Sequence, residues 1–336
     1  MLPLALTMGE PAGIGGEIAL KAWLARHDGV PPFVALDDPD RLVALARRIG
    51  VDVPLAVIAA PAEAAAAFAA ALPVLPVRVA RAPEPGRPAP ENARAVVASL
   101  DRAIALAREG SATAVVTNPI HKKALYDAGF AHPGHTEYLG AAVGLAYEPV
   151  MMLVGGGLRV VPVTVHMALR AALDALTTDL IVEKAAIAAA ALARDFAVAR
   201  PRLALAGVNP HAGEDGAMGT EDRDIVAPAV AALRRRGIDA FGPVPPDTMF
   251  HARARAGYDA AICMYHDQAL IPLKTLDMDR GVNVTLGLPI VRTSPDHGTA
   301  YDIAGKGIAD PSSLIAAIEL AAMLAERRAN SKRNPA

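Results

Sequence analysis

Asp296-His297-Gly298-Thr299-Ala300-Tyr301-Asp302-Ile303-Ala304-Gly305-Lys306-Gly307 is the stretch on which the fold reading turns. It is a glycine-punctuated loop that runs into a helical pattern over 312–329, and few of its residues are ones that packing alone selects. A single glycine here would mark only a turn. The whole string is more than a turn requires, and such a motif counts only when its structural context, here a following helix, fits. It lies near the end of the chain, with candidate strands on both sides of the middle, so the first domain is expected to be discontinuous.

Working outward, short apolar runs at 2–7, 33–36, 114–117, 151–154, 160–165, 202–206 and 260–264 read as strands. Helical patterns at 16–25, 40–48, 90–108, 138–143, 168–193, 221–236 and 312–328 alternate with them. Such alternation predicts an α/β protein built of βαβ units on mostly parallel sheets, covered on both faces. The expected division is a first domain of 1–130 plus 300–336 and a second of 131–299, flanking a cleft of the kind where α/β proteins bind ligands. The proline-rich segment 81–90 is expected to be an extended surface loop.

Composition removes several function classes. Of 336 residues 53% are apolar, much of this alanine, while aromatics are 4%, which favours closely packed helices over a β-sandwich. A formal charge of −2 offers no attraction to nucleic acid or to an anionic membrane. No stretch is long and apolar enough to suggest a membrane span, and no targeting segment is evident. The lone Cys263 follows Ala260-Ala261-Ile262, which predicts a buried structural thiol in a reducing cytoplasm.

Three histidines occupy one kind of position. His166 ends the run 160–165, His211 follows 203–206 by a short loop, and His266 follows 260–265. In a parallel sheet all three leave the carboxyl edge. Each is readable as a hydrogen-bonded loop histidine or as one ligand of a shared divalent metal, and spacing leaves both readings open. Thr164, Asn209 and Asp267 are candidates to orient them. The loop 9–16 opens a helix and is either an anion site or a tight strand-to-helix turn. The basic groups 121–123 and 234–236 are expected to be solvated faces.

The opening stretch resembles the adenosine-binding loop of the isocitrate and isopropylmalate dehydrogenases. The resemblance implies cofactor binding by His297, Gly298, Thr299, Asp302 and Ile303, with Asp302 where NAD-using members carry an acid. A carboxylate accepts from a ribose 2′-hydroxyl and repels a 2′-phosphate. Seven segments, GEPAGIGGEIALK (9–21), TNPIHKKAL (117–125), HPGHTEYLG (132–140), VNPHAGEDG (208–216), PVPPDTMF (243–250), YHDQALIPLK (265–274) and the block 281–307, look like the 4-hydroxythreonine-4-phosphate dehydrogenase (PdxA) family.

That resemblance implies two α/β/α domains like those of the isocitrate and isopropylmalate dehydrogenases. It implies His166, His211 and His266 as ligands of zinc, magnesium or cobalt, and His135, Thr136, Lys274, Asn283 and Arg292 as substrate contacts. It further implies a homodimer with the active site at the subunit interface. The implied reaction is NAD-dependent oxidation of 4-phosphooxy-L-threonine in pyridoxine biosynthesis, followed by decarboxylation. Asp247, Asp267 and water are the candidate bases, with Asp247 favoured. A paralogue acting on D-threonate or D-erythronate 4-phosphate is the nearest alternative. A phosphotransacylase-like activity and a non-catalytic binding module stand further off.

Overall fold

The computed structural model describes residues 2–121, 126 and 135–333, without the side chains of 135–137 and 332–333. Among these, the strands are β1 (Leu4–Thr7), β2 (Phe33–Asp37), β3 (Leu55–Val57), β4 (Leu72–Pro76), β5 (Val115–Val116), β6 (Val150–Gly155), β7 (Leu158–Pro162), β8 (Arg202–Ala206), β9 (Asp239–Val244), β10 (Ala260–Cys263), β11 (Val282–Leu286) and β12 (Arg292–Pro295). The chain forms two compact units, 1–149 with 288–326, and 150–287 with 327–336.

The first unit carries strands in the order β3-β4-β2-β1-β5-β12. Every adjacent pair in that series is parallel. β1 and β2 are buried at every position, as expected of strands covered on both faces. Between them runs α1 (Gly15–Leu24), and α2 (Pro39–Ile49) follows β2. Asp38 caps α2 by accepting from the N–H groups of Asp40 and Arg41, Pro39 opens it, and Gly50 at φ 71° closes it. Inside this turn Arg41 pairs with buried Asp37 at 2.5 Å. α3 (Ala93–Arg108) packs its buried face, including Val96, Leu100 and Ile104, toward β1 and β2.

The second unit is ordered β11-β6-β7-β10-β8-β9. β11–β6 and β6–β7 are antiparallel, while β7–β10, β10–β8 and β8–β9 are parallel. The β6–β7 hairpin turns through Gly156 (φ 54°) and Gly157 (φ 74°), the two positive values that a type I′ turn requires. Leu153, Val160, Ala204, Ala261, Cys263 and Leu273 belong to the core of this unit. Asp195, at the end of its long helix, accepts two hydrogen bonds from Arg328, at 2.7 and 2.6 Å. Among the described residues no helix is long and apolar enough to cross a membrane.

Three expectations need correction. The units divide at 149/150, 287/288 and 326/327 rather than at 130/131 and 299/300. β12 belongs with the first unit because Arg292 and Thr293 pair with Val115 and Val116. The helix expected over 168–193 is two helices, Leu169–Ala175 and Thr178–Asp195, because the Thr177 side chain caps the second by accepting from Leu180 N–H. The strand expected over 160–165 ends at Pro162, so three further residues separate it from His166.

Candidate active site

β7, β10 and β8 are neighbours and parallel, so the segments bearing His166, His266 and His211 leave one sheet edge. Hydrogen bonds tie these exits together at their base. Thr164 Oγ1 donates to the Met264 carbonyl at 2.8 Å. Buried Gln268 accepts from Met264 N–H and donates to the Gly207 carbonyl, both at 2.6 Å. The carboxylate of buried Asp222 accepts from the N–H groups of Val208 and Asn209 at 2.7 and 3.0 Å. The edge is therefore held by backbone and amide contacts on which the histidines stand.

His166 and His266 face each other with ring centroids 5.7 Å apart. His266 Nδ1 meets Asp267 Oδ1 at 2.7 Å, which orients the ring. Of the three expected orienting residues, Asp267 hydrogen-bonds its histidine. Thr164 ties the strand exits, and the Asn209 amide donates to Glu221 and Asp222 at 2.8 and 3.2 Å. His166 (φ 51°) and His211 (φ 53°) have left-handed backbone, and the left-handed run continues through Asp215. Such conformations cost about 1–2 kcal/mol for a non-glycine residue and gather at functional sites. Thr164, His166, Met167, Tyr265, His266 and Asp267 are among the residues around a cavity of about 350 Å³. Among the described residues no three His, Cys, Asp or Glu side chains stand together as a metal-holding group, so His211 does not join the pair.

The expected substrate residues are distributed as follows. Arg292 on β12 is buried, donates to Thr117 Oγ1 at 2.5 Å, and has its guanidinium pushed down to about 10 by burial. Asn283 on β11 has a buried Oδ1 without a hydrogen-bond partner. Lys274 is half-buried on the helix His266–Leu276. His135 and Thr136 open the helix His135–Ala142, and their side chains lie outside the described residues. Asp247 is exposed on the short helix Pro246–Met249.

The loop 296–307 is anchored by the N-terminal third of the first unit. Ile14 N–H donates to the Thr299 carbonyl at 3.1 Å, and a Cβ on Gly13 would stand 2.9 Å from that same oxygen. Lys21 Nζ reaches the carbonyls of Gly307 and Ala309 at 2.9 and 2.6 Å, while Glu17 accepts from Ala309 N–H. Asp302 and Gly298 are exposed, Thr299 and Ile303 are half-buried, and nothing would obstruct a Cβ on Gly298. His297 Nδ1 lies 3.0 Å from the Gly298 carbonyl. In the loop 9–16 the N–H groups of Glu10, Ala12, Gly13 and Ile14 are already engaged within the protein. This favours the tight-turn reading over an anion site. His121 is no solvated face: it is half-buried, edge-on to Tyr301, and Lys122 and Lys123 lie outside the described residues.

Comparison with known proteins follows the same lines. The family model described as "Pyridoxal phosphate biosynthetic protein PdxA" matches residues 30–321. A 4-hydroxythreonine-4-phosphate dehydrogenase of Methylorubrum populi is 57% identical, covering 98% of this chain and 96% of that protein. The crystal structure of such an enzyme from Klebsiella pneumoniae superposes with a TM-score of 0.87 at 40% identity, covering 97% of this chain and 100% of that one. A terephthalate 1,2-cis-dihydrodiol dehydrogenase from Burkholderia xenovorans gives 0.64 at 31% identity, covering 96% and 98%.

Two α/β units with mostly parallel strands, together with these relatives, define the class, an α/β dehydrogenase that calls for a nicotinamide cofactor. The chain belongs to the PdxA family of pyridoxal phosphate biosynthetic proteins.

Proposed function

We propose that this enzyme oxidises 4-phosphooxy-L-threonine at its C3 hydroxyl with NAD⁺, giving 2-amino-3-oxo-4-phosphooxybutanoate. That β-keto acid loses carbon dioxide to leave 3-amino-1-hydroxyacetone phosphate. The reading rests on family membership, and the observation that carries its chemistry is the facing pair His166–His266 with Asp267 on His266 Nδ1. Imidazole donors with an anchored second nitrogen suit a borderline divalent ion. His166 and His266 are the ligands nearest to assembly. His211 completes the set by a shift of its left-handed loop or from the partner subunit. A bound zinc, magnesium or cobalt ion would lower the hydroxyl pKa and stabilise negative charge beside the carbonyl.

The other residues supply recognition. Lys274 and Arg292 offer cations for phosphate and carboxylate, and Arg292, already desolvated, binds an anion more strongly than an exposed arginine. The unpartnered Asn283 Oδ1 accepts from a substrate hydroxyl or ammonium. His135 and Thr136 take further polar groups, and Asp247 receives the hydroxyl proton. His297, Gly298, Thr299 and Ile303 cradle the adenosine, and exposed Asp302 accepts from its ribose 2′-hydroxyl, favouring NAD over NADP.

Exposed Met167, Leu169 and Leu173 beside His166 suit burial in a homodimer that shares its active site. The lone, buried Cys263 fits a cytoplasmic setting. The test is NADH formation from 4-phosphooxy-L-threonine compared with D-threonate and D-erythronate 4-phosphates. Preferred turnover of the amino acid supports the proposal, and preference for either sugar acid replaces its substrate.

A further inference from the structure

We propose that Glu10, His121 and Tyr301 form a hydrogen-bonding crevice that receives an uncharged polar group of the nicotinamide dinucleotide, either ribose hydroxyls or the carboxamide. The inference rests on the dinucleotide reading above and adds to it three residues of the quoted motifs for which the sequence implied no cofactor role.

The argument begins with topology. In the first unit β1 leads through α1 to β2 on one side, while β5 lies on the other side of β1. The order therefore reverses between β1 and β5, and open α/β sheets bind ligands outside the carboxyl ends at such a point. The loops leaving β1, β5 and β12 meet there. Glu10 N–H donates to the Pro119 carbonyl at 2.8 Å, Asn118 Nδ2 to the Thr7 carbonyl at 3.0 Å, and Ile14 N–H to the Thr299 carbonyl at 3.1 Å. Glycine permits the contact: a Cβ on Gly9 would lie 2.6 Å from the Asn118 Cβ.

The side chains thus gathered carry unused polar atoms. His121 and Tyr301 pack edge to face, 5.3 Å between centroids; Tyr301 Oη is buried beside the Thr299 side chain, and His121 Nδ1 is buried without a hydrogen-bond partner. His297 Nε2, on the same loop as Tyr301, is in the same condition. Glu10 is 5% exposed and commits Oε1 to Ala12 N–H at 3.1 Å. Buried polar atoms without partners destabilise a fold, and a ligand that supplies partners removes the penalty. Burial, and then the charge of Glu10, hold the Tyr301 phenol above its ordinary range against a weaker pull from the Thr299 side chain, so it stays a neutral donor.

This set selects its occupant. A pyrophosphate would be repelled by Glu10. A hydroxyl donates to the carboxylate and accepts from the phenol, and a carboxamide does the same through its NH2 and its oxygen respectively, so ribose and carboxamide share the chemistry required.

The test is equilibrium titration of the full-length chain with NADH and with ADP-ribose, comparing wild type with Tyr301→Phe and Glu10→Gln. Each variant keeps the shape of its side chain, and thermal melting checks that it is folded. A Kd for NADH raised about five- to tenfold in both, the scale of one lost hydrogen bond, supports the crevice. Equal weakening of ADP-ribose assigns it to ribose, and weakening of NADH alone assigns it to the carboxamide. If wild type binds NADH and neither variant changes either Kd, the crevice proposal is overturned and the dinucleotide reading stands. Failure of wild type to bind NADH overturns both.

Discussion

The carboxyl ends of β1, β5 and β12 differ from those of β7, β10 and β8 in how they treat polar side chains. In the first set glycines at 9, 13 and 15 let three loops close on one another, and Glu10 is buried among them. In the second set Thr164, Gln268 and Asp222 fasten the strand exits below, while His166 and His211 stand exposed on left-handed backbone. Hydrogen bonds to backbone groups hold both edges, but only the first encloses its functional groups. A crevice finished by the fold suits an uncharged organic group. An edge left open suits an ion and a charged substrate that complete it on binding.

Substitution should separate the two. His266→Ala should lower kcat by about a thousandfold, the scale of losing a strong electrostatic contribution, with the melting temperature almost unchanged. Gly9→Ala should do the reverse first, because a Cβ there meets Asn118 at 2.6 Å and Pro119 O at 2.7 Å in a backbone of φ 66°. Strain and overpacking together predict a loss of about 3 kcal/mol in urea unfolding. If His266→Ala melted early, or Gly9→Ala did not, the contrast between an open and a closed edge would fail.

Much of this contrast was legible in the sequence, and the rest was hidden for identifiable reasons. Apolar residues run through 160–163, 203–206 and 260–264, which is why the three histidine exits could be placed on one edge. β12 is Arg292-Thr293-Ser294-Pro295, buried at every position yet with Pro295 as its one apolar residue, so no hydropathy pattern marks it. β4 contains Pro73 and Pro76 but still pairs on both sides with β3 and β2. Glu10, His121 and Tyr301 lie far apart in sequence, and only the adjacency of β1, β5 and β12 brings them together. Gln268 was missed because a buried glutamine on a helix looks like any polar helical residue until its two partners are seen.

Smaller effects sharpen the comparison. Asp267→Asn should weaken divalent-metal affinity about 10- to 100-fold by loosening the hold on His266 Nδ1, measured by competition with a chelating dye. An unchanged metal affinity would detach Asp267 from the site.

The smallest effect concerns stability. Burial first, against Ala12 N–H, His121 and Arg41, raises the Glu10 carboxyl above its ordinary value. Its contribution to folding is then fully present below the unfolded-state pKa and is lost as pH rises through the folded one. Glu10→Gln should therefore melt slightly higher than wild type at pH 8 and by a smaller margin near pH 4 while binding NADH more weakly. A melting difference independent of pH would remove the buried charge from the account.

The central claim is metal-assisted, NAD-dependent oxidation at the histidine edge, and chelation tests it most directly. Enzyme stripped of divalent ions should form no NADH from 4-phosphooxy-L-threonine, and adding back zinc, magnesium or cobalt should restore turnover in wild type but not in His266→Ala. Full turnover by the stripped wild-type enzyme would contradict the claim.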